Sequence, residues 1–312
     1  MLALKETMRT EREIASGLEF PEGPIALPDG GVLVVEVAGQ TLTRIEPDGR
    51  KHVIAKTGGG PNGAALGPDG HCYICNNGGF RWHRRGNTLI PGYAPDDYDG
   101  GRIEAVDLAT GAVEVLYHSC NGHRLSGPND LVFDDCGGFW FTDIGKNYRR
   151  TRDKGGVYYA SADGKAIQEV IYPMEGPNGI GLSPDGRWLY VAESPTARLW
   201  RFEVAAPGAL RRDKRGFFGE YGEVIASLPG HRMFDSLAVD GAGNICVATI
   251  PGGITVFAPD GSLVEELPLS DPLTTNICFG GPDLRTAYVT LSSTGRLIAL
   301  DWPRAGLRLN CQ

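Results

Sequence analysis

Six positions far apart in this sequence carry a carboxylate or a carboxamide at the same place in a repeated pattern. Each stands just before or at the start of a short apolar run, and they are Glu22, Asn62, Asn129, Asn178, Asp235 and Asn276. Oxygen donors without thiolates or imidazoles suit Ca²⁺, Mg²⁺ or Mn²⁺ better than a structural zinc ion. The carboxylates of Glu22 and Asp235 would balance the charge of a divalent cation. The alternative is that Asn and Asp recur because turns favour them, although Glu22 is not a favoured turn residue.

A recurring order of turns and apolar runs divides nearly the whole chain into six units. The clearest unit, residues 175–202, contains a predicted Pro-Asn-Gly turn at 177–179, a Pro-Asp-Gly turn at 184–186 and apolar runs between them. Short runs of this kind read as antiparallel strands joined by hairpins. Six units of about four strands each predict an all-β, six-bladed β-propeller that forms one domain over residues 1–312.

The last unit lacks a strand, and the segment from Arg9 to Ile14 is predicted to supply it and to close the ring. A pair of β-sandwich domains is the alternative, but sandwiches have no reason to repeat one order of turns six times. In a propeller the innermost strand of each blade lines the central channel. The six acidic and amide positions are therefore expected to converge near one mouth of that channel.

The composition of the chain bears on its binding partners and its location in the cell. The 312 residues carry a net charge of -8, which argues against nucleic acid and anionic membranes. No apolar run approaches the length of a membrane helix, and the first residues, MLALKETMRTEREIASG, do not read as a signal peptide, so a cytoplasmic location is expected.

Cys72 and Cys75 form a CxxC pair within a strand-like run. Residues three apart on a strand face opposite ways, which predicts buried, reduced thiols rather than a zinc site.

Several motifs resemble those of the SMP-30/gluconolactonase (regucalcin-like) family and of the related squid-type diisopropylfluorophosphatase. They are EGP at 22–24, GPND at 127–130 followed by FTD, PNGI with SPDG and LYVAESPT, FDSLAVDGAGNICVA, and FGGPDLRTAYVT. The resemblance spans nearly the full length, with the motifs in order. It implies a six-bladed propeller with one catalytic divalent cation in the channel, usually Ca²⁺, with Mn²⁺, Zn²⁺ and Mg²⁺ as alternatives.

The resemblance also implies roles for individual residues. Glu22, Asn178 and Asp235 match the metal ligands of relatives, and Asn129 matches a residue that is a ligand in some members and a substrate contact in others. Known lactonases have an arginine two residues before that asparagine. Here the position is Gly127, and the nearest arginine is Arg124, so one expected contact to a sugar lactone is missing.

The residues favour metal-assisted hydrolysis of a lactone, with the cation polarising the carbonyl and water attacking it. Asp235 is the expected base, although a nucleophilic role is an alternative. A phosphotriesterase-like hydrolase and a non-catalytic propeller that binds a small molecule or a protein are the other hypotheses. A condensing enzyme related to strictosidine synthase is disfavoured, because those enzymes lack the metal set retained here. The oligomeric state is left open.

Two inserts are expected to determine the substrate specificity. Residues 80–100 mix aromatic and cationic side chains, and residues 146–154, KNYRRTRDK, form a basic loop. Both could cover the channel mouth and attract an acid-bearing lactone, or they could be solvated loops or an oligomer contact. The predicted substrate contacts are Asn62, Trp82, His83, Arg124, Asn129 and Asn276.

Overall fold

The computed structural model of the chain describes residues 9–213 and 222–311. Within these ranges, six antiparallel sheets surround a central channel as the blades of a β-propeller, which confirms the predicted fold. The inner strand of each blade contacts the inner strands of both neighbours, so that the six close a ring. These inner strands are Pro21–Ala26, Pro61–Leu66, Pro128–Phe133, Pro177–Leu182, Met233–Val239 and Thr274–Gly280.

The remaining strands follow outward in chain order. The second strands are Val32–Glu36, Cys72–Asn76, Gly138–Asp143, Trp188–Glu193, Ile245–Ile250 and Thr286–Leu291. The third strands are Thr41–Ile45, Arg102–Val106, Gly155–Ser161, Arg198–Ala206, Gly253–Phe257 and Arg296–Asp301. The outer strands of blades 1 to 5 are Lys51–Lys56, Val113–Tyr117, Ile167–Met174, Glu223–Ser227 and Leu263–Pro268.

The N-terminal segment supplies the outer strand of blade 6. Arg12–Ala15 pairs antiparallel with Arg296–Asp301, as predicted, and so joins the two ends of the described chain in one sheet. Residues 4–8, which the sequence also predicts to belong to this edge strand, lie outside the described residues. Three short pairs stand outside this plan: Trp82–Arg85 with Thr88–Pro91, Ser119–Cys120 with His123–Arg124, and Ala209–Leu210 against the third strand of blade 4.

Within the described residues the core consists of six apolar clusters, one between each pair of adjacent blades. In the second strand of blade 4, Leu189 and Val191 pack towards blade 3, whereas Tyr190 and Ala192 pack towards blade 5. Because side chains alternate along a strand, a strand buried on both sides is apolar throughout, which explains the run from 188 to 192. A seventh, smaller apolar cluster lies at the insert, around Phe20.

The two cysteines of the CxxC pair obey the same alternation. Cys72 packs in the cluster between blades 1 and 2, and Cys75 in the cluster between blades 2 and 3. Both are fully buried and free, and burial raises the pKa of each thiol. The predicted burial of both thiols is confirmed.

The C-terminal segment crosses the channel end at which the inner strands finish. Its backbone meets blade 5 through the bond from the Leu307 amide to the Val239 carbonyl (3.1 Å), and the Asn310 side chain donates to the Phe133 carbonyl of blade 3 (2.9 Å). Leu307 and Leu309 line the channel cavity together with residues of all six inner strands. This end of the channel is therefore covered by the chain itself. The described ranges hold no helix that is long and apolar enough to cross a membrane.

Candidate active site

The acidic and amide residues of the repeat lie at irregularities in the inner strands. The pairing of inner and second strands shifts register in all six blades, for example between Pro177 and Ile180 and between Phe234 and Leu237. Such a bulge re-aims the side chains at its centre. The predicted Pro-Asn-Gly turn at 177–179 is therefore wrong, because these residues belong to an inner strand and not to a connection.

In blades 1, 2 and 4 a glycine follows the site residue, and the backbone of the next blade lies against it. An added Cβ at Gly23 would lie 2.6 Å from the Asn62 carbonyl, and one at Gly179 would lie 2.8 Å from the Asp235 carbonyl. Real Cβ atoms do not come this close to backbone. The Asn-Gly and Glu-Gly pairs thus reflect contact between neighbouring inner strands, which sets the site residues of adjacent blades side by side.

Three carboxylates share this end of the channel: Glu22, Asp130 and Asp235. Burial raises the pKa of Glu22 above its usual range, and burial followed by the charge of Glu22 raises the pKa of Asp130 to about 8. The pKa of Asp235 rises well above its ordinary value, first through burial and then through Glu22. Asp235 keeps some accessible surface. Like charges held together in a poorly solvated site disfavour ionisation, and a cation among them would relieve the repulsion.

The side-chain oxygens of Asn129 and Asn178 have few hydrogen-bond partners. Asn129 is 4% exposed, and its Oδ1 is buried with no hydrogen-bond partner among the described residues. The Asn178 Nδ2 donates to Ser194 Oγ at 3.1 Å, whereas its Oδ1 has a single long contact from Ser236 Oγ at 3.5 Å. Two amide oxygens therefore stand beside the carboxylates with ligating capacity to spare. A buried acceptor without a donor is uncommon, and this donor set fits a hard divalent cation.

The two remaining ring residues are also buried. Asn276 donates from Nδ2 to Glu22 Oε2 at 2.9 Å, and its Oδ1 accepts the Ile277 N–H at 2.8 Å. Asn62 is 8% exposed at the same strand position of blade 2. The structure thus brings together all six residues that the repeat predicts. Their roles as ligands or substrate contacts stay predictions.

The insert of residues 80–100 includes a hairpin that is anchored on both sides of the ring. The Leu89 amide donates to the Ser293 carbonyl of blade 6 (2.8 Å), and the Ala94 amide donates to the Asn147 carbonyl of blade 3 (2.9 Å). Trp82 packs against Phe20, which directly precedes the inner strand of blade 1, with ring centroids 4.9 Å apart. The hairpin is therefore fixed close to the site. His83 is exposed on the same strand.

Arg124 and Gly127 define the departure from known lactonases. The Arg124 guanidinium is mostly exposed and donates to the Asp99 carboxylate and carbonyl within the insert. A Cβ at Gly127 would lie 2.7 Å from the Gly145 carbonyl, and the Gly127 N–H donates to Asp143 Oδ1. Because this backbone is enclosed, the chain has no room for an arginine at 127.

The basic loop at 146–154 is less cationic than its sequence suggests. Lys146 is 2% exposed, and its Nζ donates to the Asn77 carbonyl at 2.6 Å beneath the Phe80 ring. Lys154 is paired with Glu175. The expectation that Lys146 belongs to an exposed basic lid is wrong, since the insert packs over it.

Sequence reasoning missed Asp130 as a site residue. Neighbouring residues on a regular strand face opposite ways, so if the Asn129 side chain points into the channel, the Asp130 side chain is expected to point away from it. The shift in register between Pro128 and Leu131 removes that restriction. The Asp that follows Asn129 in GPND was the available signal.

A second acidic group lies at the opposite end of blade 3. Asp134, Asp135 and Cys136 are the one group in the described ranges with three carboxylate or thiol ligand atoms within 4.8 Å of one another. The Asp134 carboxylate already accepts the Cys136 and Gly138 amides and the Tyr159 hydroxyl, so it acts as a turn cap. The central carboxylates are not packed that tightly as one group, and amide oxygens complete their set.

Comparison with known proteins identifies the family. The sequence model of the SMP-30/gluconolactonase/LRE-like region matches residues 20–293. The chain belongs to this family. A gluconolactonase of Zymomonas mobilis is 29% identical over 296 residues, covering 86% of this chain and 75% of the relative. The diisopropyl-fluorophosphatase of Loligo vulgaris is 28% identical over 249 residues, covering 72% of this chain and 75% of the relative.

The fold agrees with solved structures of the family. A gluconolactonase structure from Xanthomonas campestris superposes with a TM-score of 0.74 at 23% identity, covering 97% of this chain and 92% of that one. The family member described here is a hydrolase that acts on ester bonds.

Proposed function

We propose that this enzyme is a metal-dependent lactonase. The observation that carries the proposal is the unpartnered Oδ1 of Asn129 beside the mutually repelling carboxylates of Glu22, Asp130 and Asp235. The matching gluconolactonase relative supports a small lactone as the substrate. Glu22, Asn129, Asn178 and Asp235 would hold the cation. Their oxygen donors suit Ca²⁺, Mg²⁺ or Mn²⁺, and Ca²⁺ is expected because the family resemblance implies it.

The bound cation would supply Lewis-acid polarisation of the lactone carbonyl. Asp235 accepts a proton from the attacking water as the new C–O bond forms and the ring C–O bond breaks, and the proton then passes to the departing alkoxide oxygen. Burial and then the charge of Glu22 raise the pKa of Asp235, and a bound cation would favour the ionised carboxylate that accepts this proton. Asn276 holds the Glu22 carboxylate in place, and the insert, anchored to blades 6 and 3, would limit the access of bulk water if it covers the channel mouth.

The test is lactone hydrolysis followed by pH-stat on protein stripped with chelator, with Ca²⁺, Mn²⁺, Zn²⁺ or Mg²⁺ added back separately. Asp235→Asn is expected to lower metal-restored turnover by about 100-fold or more, as loss of a general base does. Asp260→Asn is the matched control, because Asp260 caps a turn in the same blade and its carboxylate is exposed. If no cation restores turnover and one still raises the melting temperature, a non-catalytic binding propeller replaces the lactonase.

Hydrolysis of phosphotriesters is the second candidate. The diisopropyl-fluorophosphatase relative supports it, and so does the enclosed Gly127, which leaves no room for the arginine of known lactonases. Both reactions need an oxygen-ligated cation and a nearby carboxylate. Running both substrate classes on the same stripped and restored samples decides which one dominates.

A further inference from the structure

Side chains at the ends of the second strands form hydrogen bonds with the backbone segments that lead into the inner strands. In blades 1 to 4 the last residue of the second strand is a buried acid or amide, and a side-chain oxygen accepts a backbone N–H just ahead of the inner strand. These residues are Glu36, Asn76, Asp143 and Glu193. Each bond lies two or three residues before the site residue of its own blade.

The distances are those of strong hydrogen bonds. Asp143 accepts the amides of Ser126 and Gly127, each at 2.7 Å, and Glu193 accepts the amide of Glu175 at 2.9 Å. Burying a carboxylate costs folding free energy unless it is hydrogen-bonded in this way. These bonds therefore fix the position of the backbone that leads into each inner strand.

Hydroxyl groups at the same level reach across to the next blade. Each lies next to or within the end of a second strand and donates to a backbone carbonyl at or beside a site residue. The pairs are Thr142 with Asn178 (2.5 Å), Ser194 with Phe234 (2.6 Å) and Ser292 with Pro21 (2.5 Å). Blades 3 to 4, 4 to 5 and 6 to 1 are joined in this way.

Ser194 does more than the other two hydroxyls. Its Oγ accepts from the Asn178 Nδ2 at 3.1 Å while it donates to the carbonyl of Phe234, the residue before Asp235. Fixing the amide nitrogen of Asn178 leaves Oδ1 as the atom turned away from Ser194. One hydroxyl therefore constrains two of the four residues that would hold the cation.

We propose that Ser194 is a positioning residue of the metal site, which sets the amide orientation of Asn178 and the backbone position of Asp235. Glu193 assists by fixing the backbone that leads to Asn178. The inference rests on the proposed function only in taking Asn178 and Asp235 as ligands.

The test measures Ca²⁺ binding by calorimetry on substrate-free protein, so that it does not depend on turnover. Ser194→Ala is expected to raise the Kd for Ca²⁺ by about 10-fold or more, the usual effect of losing a partner that orients a ligand. Ser194→Thr keeps the hydroxyl and is expected to bind close to the wild-type affinity. Ser183→Ala is the matched control, since Ser183 is a buried serine whose hydroxyl bonds to Asp185 in the hairpin at the other end of blade 4.

The outcomes separate the two proposals. A purely structural role of Ser194 would lower the melting temperature of Ser194→Ala as in Ser183→Ala and leave the Kd unchanged, which would overturn the inference. Weaker Ca²⁺ binding in Ser194→Ala with restoration in Ser194→Thr supports it, even if no lactone is hydrolysed and the proposed function fails. A wild-type protein that binds no divalent cation would overturn both.

Discussion

The Asn276 amide nitrogen donates to Glu22 Oε2 at 2.9 Å, so the last blade orients a carboxylate that the first blade supplies. The two residues are 254 positions apart in sequence. They meet because the ring closes and their inner strands become neighbours. The geometry of the candidate site is thus tied to closure of the propeller, which Arg12–Ala15 completes.

Removing the Asn276 side chain should loosen Glu22. Asn276→Ala is expected to raise the Kd for Ca²⁺ by about 10-fold, because Glu22 loses an orienting donor and gains rotational freedom. Calorimetry on stripped protein measures the effect. Asn244→Ala is the control, since Asn244 also donates to a buried carboxylate, that of Asp240, at the far end of blade 5. Equal Ca²⁺ affinities in the two variants would contradict the role given to Asn276.

The contact between blades 4 and 5 should not tolerate a methyl group. A Cβ at Gly179 would lie 2.6 Å from the Leu237 amide and 2.8 Å from the Asp235 carbonyl. Gly179→Ala is expected to cost about 1–3 kcal/mol of unfolding free energy through overpacking and also to weaken Ca²⁺ binding.

Urea unfolding and calorimetry check the Gly179 prediction. Gly186→Ala is the control: its φ of +67° carries a cost of about 1 kcal/mol, but nothing lies within 4 Å of the new Cβ and the site is at the other end of the blade. If Gly179→Ala binds Ca²⁺ as tightly as Gly186→Ala, blade contact does not set the position of Asp235.

The propeller was predictable because turn residues repeat with the blades. Pro-Asp-Gly at 184–186 marks a hairpin at the end of a blade wherever the chain folds, since Gly186 needs a positive φ. Alternation along strands likewise separated Cys72 from Cys75. Local rules of this kind need no knowledge of the neighbouring blade.

The site was predictable as a set of positions and not as a geometry. The bulges are shifts in the pairing of inner and second strands that the sequence does not display, so Gly179 looked like a turn residue and Asp130 looked misdirected. The bond from Ser194 to Asn178 joins residues 16 positions apart through a register that only the folded sheet defines. Lys146 looked like one cation among several, because burial under residues 80–100 is a tertiary property.

Trp82 should affect substrate binding more than the chemical step. Its ring packs on Phe20 at 4.9 Å and on Phe80 at 5.7 Å, which holds the hairpin of the insert close to the channel. Trp82→Ala is expected to raise KM for a bulky lactone by about 3–10-fold with a smaller change in kcat, given the strength of aromatic pairs. Steady-state kinetics with the preferred cation measures both constants.

Trp188→Ala serves as the control for Trp82, because Trp188 begins the second strand of blade 4 at the hairpin end and packs against Arg201 there. A fall in kcat with an unchanged KM in Trp82→Ala would show that the insert acts on the reaction rather than on binding.

Lys146 should make stability depend on pH. Burial lowers its pKa to about 7, while Asp143 and Asp153 oppose the shift. An unfolded lysine titrates near 10.4, so between about pH 7 and pH 10 the unfolded chain binds a proton that the folded chain has released. Stability relative to Lys146→Met should therefore rise with pH across this window, by up to about 1.4 kcal/mol per pH unit, and should stay level below pH 7.

Urea unfolding of the wild type and Lys146→Met at pH 6, 7.5 and 9 measures this difference. Lys165→Met is the control, since Lys165 is exposed and its partner Asp163 raises its pKa. Three contacts of Lys146 Nζ counteract the effect of burial on its pKa, because they favour the ammonium form. They are the two oxygens of Asn77, at 2.6 and 3.2 Å, and the Phe80 ring at 4.1 Å. A difference that stays constant up to pH 9 would mean that these contacts outweigh burial. Lys146 would then be a buried cation that fastens the insert to blade 3 at every pH tested.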